Sequence, residues 1–424
     1  ISMPFDGISV NSIVNELNET IVGGKVEKIY QPEKDELIFH IRKERNSYRL
    51  LISVNPVLPR IHLTNEKKDN PLAAPTFCML LRKHLTRSKI ISIEQPSLER
   101  IIRIAFETID EMGYYTEKIL LVEIMGRHSN AILIESQDFK IIDSIKRVNK
   151  YMSRVRTVLP SIEYTYPPAK DKIDPLNVKE DFFCNDIQNL EKDIKAYKFF
   201  IKRYYGISPI VAQEICVNAE LEPDYNLRTA NKDTCLRLYK SFSDIFKRVR
   251  KSQYQPHIVM DNKNTYDFLS IPLKIYDVYE KKFYDSMSAV IETFYKDRDT
   301  KNRKRQKTSN LNKLVNSKLE RSFKKLTIQQ KELREARQCE YYRQCGDAIM
   351  SSLYMLEKGN SLCTLPFYED EGVETIDIKL DPCLTPIENA QKYYKKFNKL
   401  KSALNVLGKQ IIQTKDEIRY LESV

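Results

Sequence analysis

Apolar residues at Ile8, Ile13, Val14, Leu17 and Ile21 recur at helical spacing, which predicts an opening helix stopped by Gly23-Gly24. Alternating runs at 25–30, 36–42, 48–54 and 60–63 follow and read as strands between turn residues. Helical spacing returns at 75–85 through Phe77, Leu80, Leu81 and Leu85. Strands resume at 90–94, 100–106, 118–124, 131–135 and 140–145. Strands grouped in this way, with few helices between them, predict an α+β fold with a β-rich, antiparallel N-terminal domain. The proline-bearing stretch 164–175 lacks any period and reads as a linker. From 180 to 250 the pattern is helical, interrupted at Gly206-Ile207-Ser208-Pro209, where Ser208 can cap a helix opened by Pro209. Residues 256–276 are strand-like.

The C-terminal third changes period. Leu319, Phe323, Leu326, Gln330 and Leu333 alternate spacings of four and three. Tyr393, Phe397, Leu400, Leu404, Leu407, Ile411, Thr414, Ile418 and Leu421 do so over a longer run. Such seams predict a long coiled coil. Glycines, prolines and a strand-like 374–380 lie between them, so an antiparallel hairpin with a small head at its tip is the favoured arrangement, with a parallel dimer as the alternative. The predicted divisions are 1–175, a helical 176–265, a first arm 266–357, a head 358–388 and a returning arm 389–424.

Charge narrows the function. The 424 residues hold 70 Lys and Arg against 58 Asp and Glu, a net +12. Nine of those twelve charges fall within 296–325, where twelve bases, Arg303, Lys304 and Arg305 among them, face three acids. A run of one sign repels itself unless a polyanion answers it, which points to nucleic-acid phosphate; a solvated helix flank is the plainer alternative. No stretch approaches a membrane span. Eight cysteines without a CxxC pair and five histidines give no support to a metal site or a disulfide framework, and with no leader at the start the expected compartment is the cytoplasm.

Three segments carry candidate chemistry. Backbone amides at Gly206 and Ser208, leading into a helix, could meet an anion; an ordinary helix turn is the alternative. Arg127, His128 and Asn130 lie on a predicted hairpin turn, where they suit phosphate or base-edge contact better than catalysis, against a plain polar turn. Pro4 would be a secondary-amine nucleophile if Met3, the expected natural start, were removed. Bifunctional DNA glycosylases use such a proline, but with a carboxylate directly after it, where this chain has Phe5. Asp6 reads as a helix N-cap. No catalytic residue, metal or cofactor is assigned, and no intrinsic turnover is expected.

Six segments in order, MPFDG, EIMGRHSNAIL, YYGISPIVAQEI, YKDRDTKNRKRQKTSNL, LTPIENAQKYYKKFNKLK and EIRYLESV, resemble NFACT proteins. Bacterial members of that family are also called fibronectin-binding protein A-like and include the ribosome-associated quality-control factor. The resemblance implies a formamidopyrimidine-DNA-glycosylase-like domain, a helix-hairpin-helix-type domain, and a long antiparallel coiled coil with a small head. It implies binding to large ribosomal subunits blocked by peptidyl-tRNA, contacts with tRNA and rRNA, and recruitment of tRNA for untemplated alanine tails. Asp6 matches a family aspartate tied to tRNA. The family's Asp-Arg pair falls at Glu99-Arg100, where the charge order is kept and Glu replaces Asp. A further RNA-binding domain is expected to follow Val424 in a longer protein. The competing class is a leaderless surface adhesin for fibronectin.

Overall fold

The computed structural model describes residues 5–423 apart from 111, 169–170, 262–263 and 370–371. Met3 and Pro4, and with them the secondary-amine question, lie outside the described residues. The chain divides into two compact units, Ile1–Thr300 and Lys301–Val424.

In the first unit, helix α1 (Gly7–Ile21) buries the predicted apolar stripe. Strands β1 (Lys25–Glu33), β2 (Glu36–Lys43), β3 (Asn46–Ser53) and β4 (Arg60–Leu63) form an antiparallel meander. After helix α2 (Thr76–Leu85) a second meander runs through β5 (Lys89–Glu94), β6 (Ile101–Ile109), β7 (Tyr115–Glu123), β8 (Asn130–Glu135) and β9 (Ile141–Ser144). The two join at β1 and β5 through the single pair Lys25–Lys89, giving the nine-strand order β4-β3-β2-β1-β5-β6-β7-β8-β9. Phe39 on β2 and Phe106 on β6 stack with centroids 6.3 Å apart. Strands three places apart in a flat sheet would stand about 14 Å from each other, so the sheet curls around its core.

Helices α3 (Glu180–Gln188), α4 (Ala196–Arg203), α5 (Pro209–Asn218) and α6 (Lys232–Arg250) enclose an aromatic core of Phe183, Phe200, Tyr204, Phe242 and Phe246. Ile8 and Leu98 are buried in that same core. The 164–175 stretch is docked, not a free linker: Tyr164 is buried against Glu123, and Ile173 exchanges backbone hydrogen bonds with Arg203 and Tyr205. A small sheet of β10 (His257–Asp261), β11 (Asn264–Leu269) and β12 (Glu280–Phe283) then uses the two-residue period of a strand. Ile258 and Phe268 enter the sheet core, while their neighbours Val259 and Leu269 enter the helical one. Because β11 and β12 occupy this stretch, the long helix expected from 266 starts later, as α7 (Met287–Ala336). Its first turns place Val290, Ile291 and Phe294 in the sheet core.

In the second unit α7 runs beside α9 (Pro386–Ser423). Thr414 Oγ1 donates to Gln329 Oε1 at 3.0 Å, and Tyr394 packs over Gly346. Gln329 on α7 and Gly346, past the end of α7, are rising numbers that meet the falling numbers Thr414 and Tyr394 on α9, so the two sides run antiparallel. Leu407, Ile411, Thr414, Ile418 and Leu421 are buried as expected. On α7 the inner positions are Ser322 and Gln329, while Phe323 is 43% exposed and Gln330 lies outside. Leu319, Leu326 and Leu333 are common to both registers, so apolar spacing alone could not choose between them. The helix also breaks after Ala336. Helix α8 (Cys339–Ser351) joins strands β13 (Leu362–Glu369) and β14 (Gly372–Lys379) in one small core, so this substructure begins well before residue 358.

Candidate nucleic-acid interface

The sheet and the helices α3–α6 meet at one joint. Asp6 Oδ1 accepts the Ser9 N–H at 2.8 Å, capping α1, and its Oδ2 accepts the Ser208 hydroxyl at 2.8 Å. Ser208 Oγ in turn accepts the Val211 N–H at 3.4 Å at the start of α5. One carboxylate therefore ties two helix N-termini together, where a negative charge is favoured by the exposed amides. The Gly7 N–H donates to Gly206 O at 3.0 Å, and the Leu98 carbonyl presses against both glycines. That carbonyl belongs to a strained turn in which Ser97 and Leu98 have φ of 46° and 58°. Gln95 Nε2 holds the turn by donating to Gly7 O at 2.9 Å and Glu99 O at 2.7 Å. Asn11 donates to Gln95 at 2.7 Å, and the Tyr254 hydroxyl to Asn11 at 2.5 Å.

The turn delivers Glu99 and Arg100 to the joint. Burial pushes the Asp6 carboxyl above its ordinary value, opposed by the Ser9 amide, the Ser208 hydroxyl and the Arg100 charge. Burial works against the Arg100 guanidinium, and Asp6 works for it. Arg100 has no hydrogen-bonded or ion-paired partner among the described residues, so this half-buried charge is available to a ligand. Glu99 is raised by burial and by Glu123, and Lys172 opposes the shift. Lys172, whose ammonium donates to Ile201 O at 2.8 Å, is a member of the cluster that sequence reasoning missed. It stands in the supposed linker and carries no local signal.

The structure separates the candidates by what their polar atoms already do. Asp6 is buried and Ser208 has its hydroxyl committed on both sides. Together with Gly206 they build the joint, so the Asp6 carboxylate and the Ser208 hydroxyl are committed to the fold; the anion reading concerns the backbone amides of Gly206 and Ser208, which these bonds do not use. The projection expected of Asn130 is corrected. It is buried, its amide donates to Lys146 O at 2.8 Å, and its oxygen accepts from the Ala131 and Lys146 amides, so it does not project with its neighbours. Arg127 and His128 are exposed, the Arg127 Nε–H donating to His128 Nε2 at 2.9 Å. Their turn lies beside Arg100, whose carbonyl accepts the Ile124 N–H at 2.8 Å. Arg303, Lys304 and Arg305 lie on α7 in the second unit, with Lys304 and Arg305 exposed. Among the described residues, no group of three His, Cys, Asp or Glu could hold a metal ion, and no helix is long and apolar enough to cross a membrane.

A family model described as NFACT N-terminal and middle domains matches residues 6–424. The Rqc2 homolog RqcH of Bacillus subtilis (strain 168) is 35% identical over 422 residues, covering 100% of this chain and 71% of that protein. RqcH of Streptococcus pneumoniae serotype 2 is 32% identical over 425 residues, with the same coverage. Among solved structures, the N-terminal part of a fibronectin/fibrinogen-binding protein from Streptococcus suis aligns at a TM-score of 0.57 and 29% identity, over 69% of this chain and 99% of that one.

Proposed function

The chain belongs to the NFACT family, and from that premise we propose that it acts in ribosome quality control, binding large ribosomal subunits that carry peptidyl-tRNA and recruiting tRNA for untemplated alanine addition. The observation that carries the tRNA part is the joint itself. Glu99 and Arg100, at the positions of the family's tRNA-linked pair, are presented by a turn that Asp6, Gly7 and Gly206 hold in place, and Arg100 is left without a partner. The charge-dense stretch 296–325 of α7 supplies a second phosphate-binding surface, with rRNA or tRNA as its ligand. In this reading the curled sheet is the glycosylase-like module, and α4 with α5 is the helix-hairpin-helix-type pair, a view supported by the Ser208-capped, Pro209-opened second helix. The antiparallel α7 and α9 form the coiled coil, a view supported by their alternating spacings. The protein works by binding, without turnover of its own, and does so in the cytoplasm.

The test is sedimentation of the purified chain with large subunits bearing or lacking peptidyl-tRNA. Co-migration with the tRNA-bearing subunits is expected, and Arg100→Ala should release tRNA while the chain stays folded. A chain that remains at the top of the gradient in both cases would refute the reading. The Streptococcus suis relative named for fibronectin and fibrinogen binding favours adhesion as a second reading. Saturable binding to immobilised fibronectin without subunit association would select it.

A further inference from the structure

The loop 146–156 is the strongest charged feature that neither the sequence candidates nor the joint accounts for. From Ser144 to Ile162 the chain has no acid and five bases, Lys146, Arg147, Lys150, Arg154 and Arg156. Three of the five are used to fasten the loop. The Lys146 ammonium donates to Val54 O at 2.5 Å and Ser129 O at 2.9 Å. Arg147 grips Asp143 with two hydrogen bonds at 2.9 and 2.7 Å, and Arg156 is bound to the fully buried Glu123. Val148 and Val158 exchange backbone hydrogen bonds at 2.9 and 2.8 Å and close the loop at its neck. Asn149 Oδ1 accepts the Tyr151 and Met152 amides at 3.0 Å each, which shapes the tip.

What remains outside is specific. Lys150 and Arg154 are exposed and have no partner among the described residues. Between them Tyr151 is 99% exposed and Met152 70%, on a tip whose backbone amides are hydrogen-bonded to Asn149. A fastened loop that holds a bare aromatic ring between two unpaired cations pays little entropy to bind. It offers a flat face for a base, with a phosphate contact on either side. A polybasic membrane site gathers about four or more free bases, and this loop leaves two. A fully paired duplex presents phosphates but no open base face for the ring.

We propose that the 146–156 loop is an RNA-binding site for unpaired nucleotides, with a base stacked on Tyr151 and flanking phosphates held by Lys150 and Arg154. Exposed Arg127 and His128 lie on the turn to which Lys146 is fastened, and extend the same surface. The proposal rests on the ribosome-quality-control reading and deepens it by naming where looped RNA is gripped.

The experiment measures binding of the full chain to a labelled RNA hairpin with a seven-nucleotide loop, and to the same stem as a blunt duplex. Tyr151→Ala should weaken hairpin binding about tenfold, as loss of one stacked base does, and leave duplex binding within twofold. Tyr151→Phe should restore the hairpin affinity. Lys150→Glu with Arg154→Glu should lower the salt-dependence slope by about 1.4, two single-strand phosphate contacts. Equal hairpin affinities for wild type and Tyr151→Ala would overturn the proposal, as would a charge reversal that lowered binding to phosphatidylserine vesicles but not to RNA. Sedimentation of Tyr151→Ala with large subunits keeps the two readings apart. If wild type binds subunits and hairpin RNA while Tyr151→Ala matches it on the hairpin, only the loop assignment fails. If wild type binds neither, the quality-control reading fails with it.

Discussion

Substituting Gly206 tests whether the joint is held by backbone-on-backbone contact. Gly206 has φ +68, and a Cβ there would stand 2.3 Å from the Leu98 carbonyl oxygen and 3.0 Å from Gly7 Cα. Real Cβ contacts stop near 3.0 Å, so Gly206→Ala must move backbone by about 0.7 Å, and no flexible side-chain end can yield instead. The left-handed conformation costs a non-glycine residue ~1–2 kcal/mol, and overpacking adds ~1–3 kcal/mol. Displacing the Gly7-to-Gly206 hydrogen bond removes a further ~1 kcal/mol. The expected loss is ~3–6 kcal/mol in the first unit. Gly23→Ala is the control: φ is +86 but nothing lies within 4 Å of its Cβ, so only the conformational cost applies, ~1–2 kcal/mol. Because the chain has no tryptophan, urea unfolding followed by far-UV circular dichroism and tyrosine fluorescence is the assay. If Gly206→Ala unfolded within ~1 kcal/mol of Gly23→Ala, the contact between the 98 turn and the 206 turn would not carry the joint.

Acid should destabilise the first unit through His62. Burial, and the charges of Arg60 and Lys68 against that of Asp299, push its imidazole from 6.5 down to about 3, so the folded chain keeps it neutral while the unfolded chain protonates below 6.5. Its stability contribution is intact above pH 6.5 and is lost as pH falls toward 3. Between pH 7 and 4.5 wild type should therefore lose ~2–3 kcal/mol more than His62→Gln, measured by urea unfolding at both pH values; equal losses would count against a neutral buried imidazole. Reversing Arg303, Lys304 and Arg305 to Glu should weaken tRNA binding at least ~10-fold and reduce the slope of log affinity against log salt by roughly 2. An unchanged slope would mean that the stretch is a solvated flank.

Local physics accounts for what was legible in the chain. Strand alternation and helical spacing follow from the direction in which successive side chains point, so α1, the nine strands of the large sheet and the α9 stripe were readable before any partner was known. The cap at Asp6, the stop at Gly23-Gly24 and the Ser208-Pro209 helix start were readable for the same reason, since each satisfies backbone groups within a few residues.

Where two solutions were equal locally, the fold decided. Leu319, Leu326 and Leu333 fit two registers, and Gln329 is inside because Thr414 reaches it across the helix pair. The 264–283 stretch is sheet and not helix because its alternate residues fill two different cores. Asn130, Ser208 and Asp6 carry the residue types of a ligand site, yet their polar atoms are satisfied by partners brought together by folding, Ser208 and Asp6 from 202 positions apart. Arg100 and Tyr151 look no different from other Arg and Tyr residues in the chain. Their availability is a tertiary property, since only the folded molecule shows which charges are already paired and which ring has been left in water.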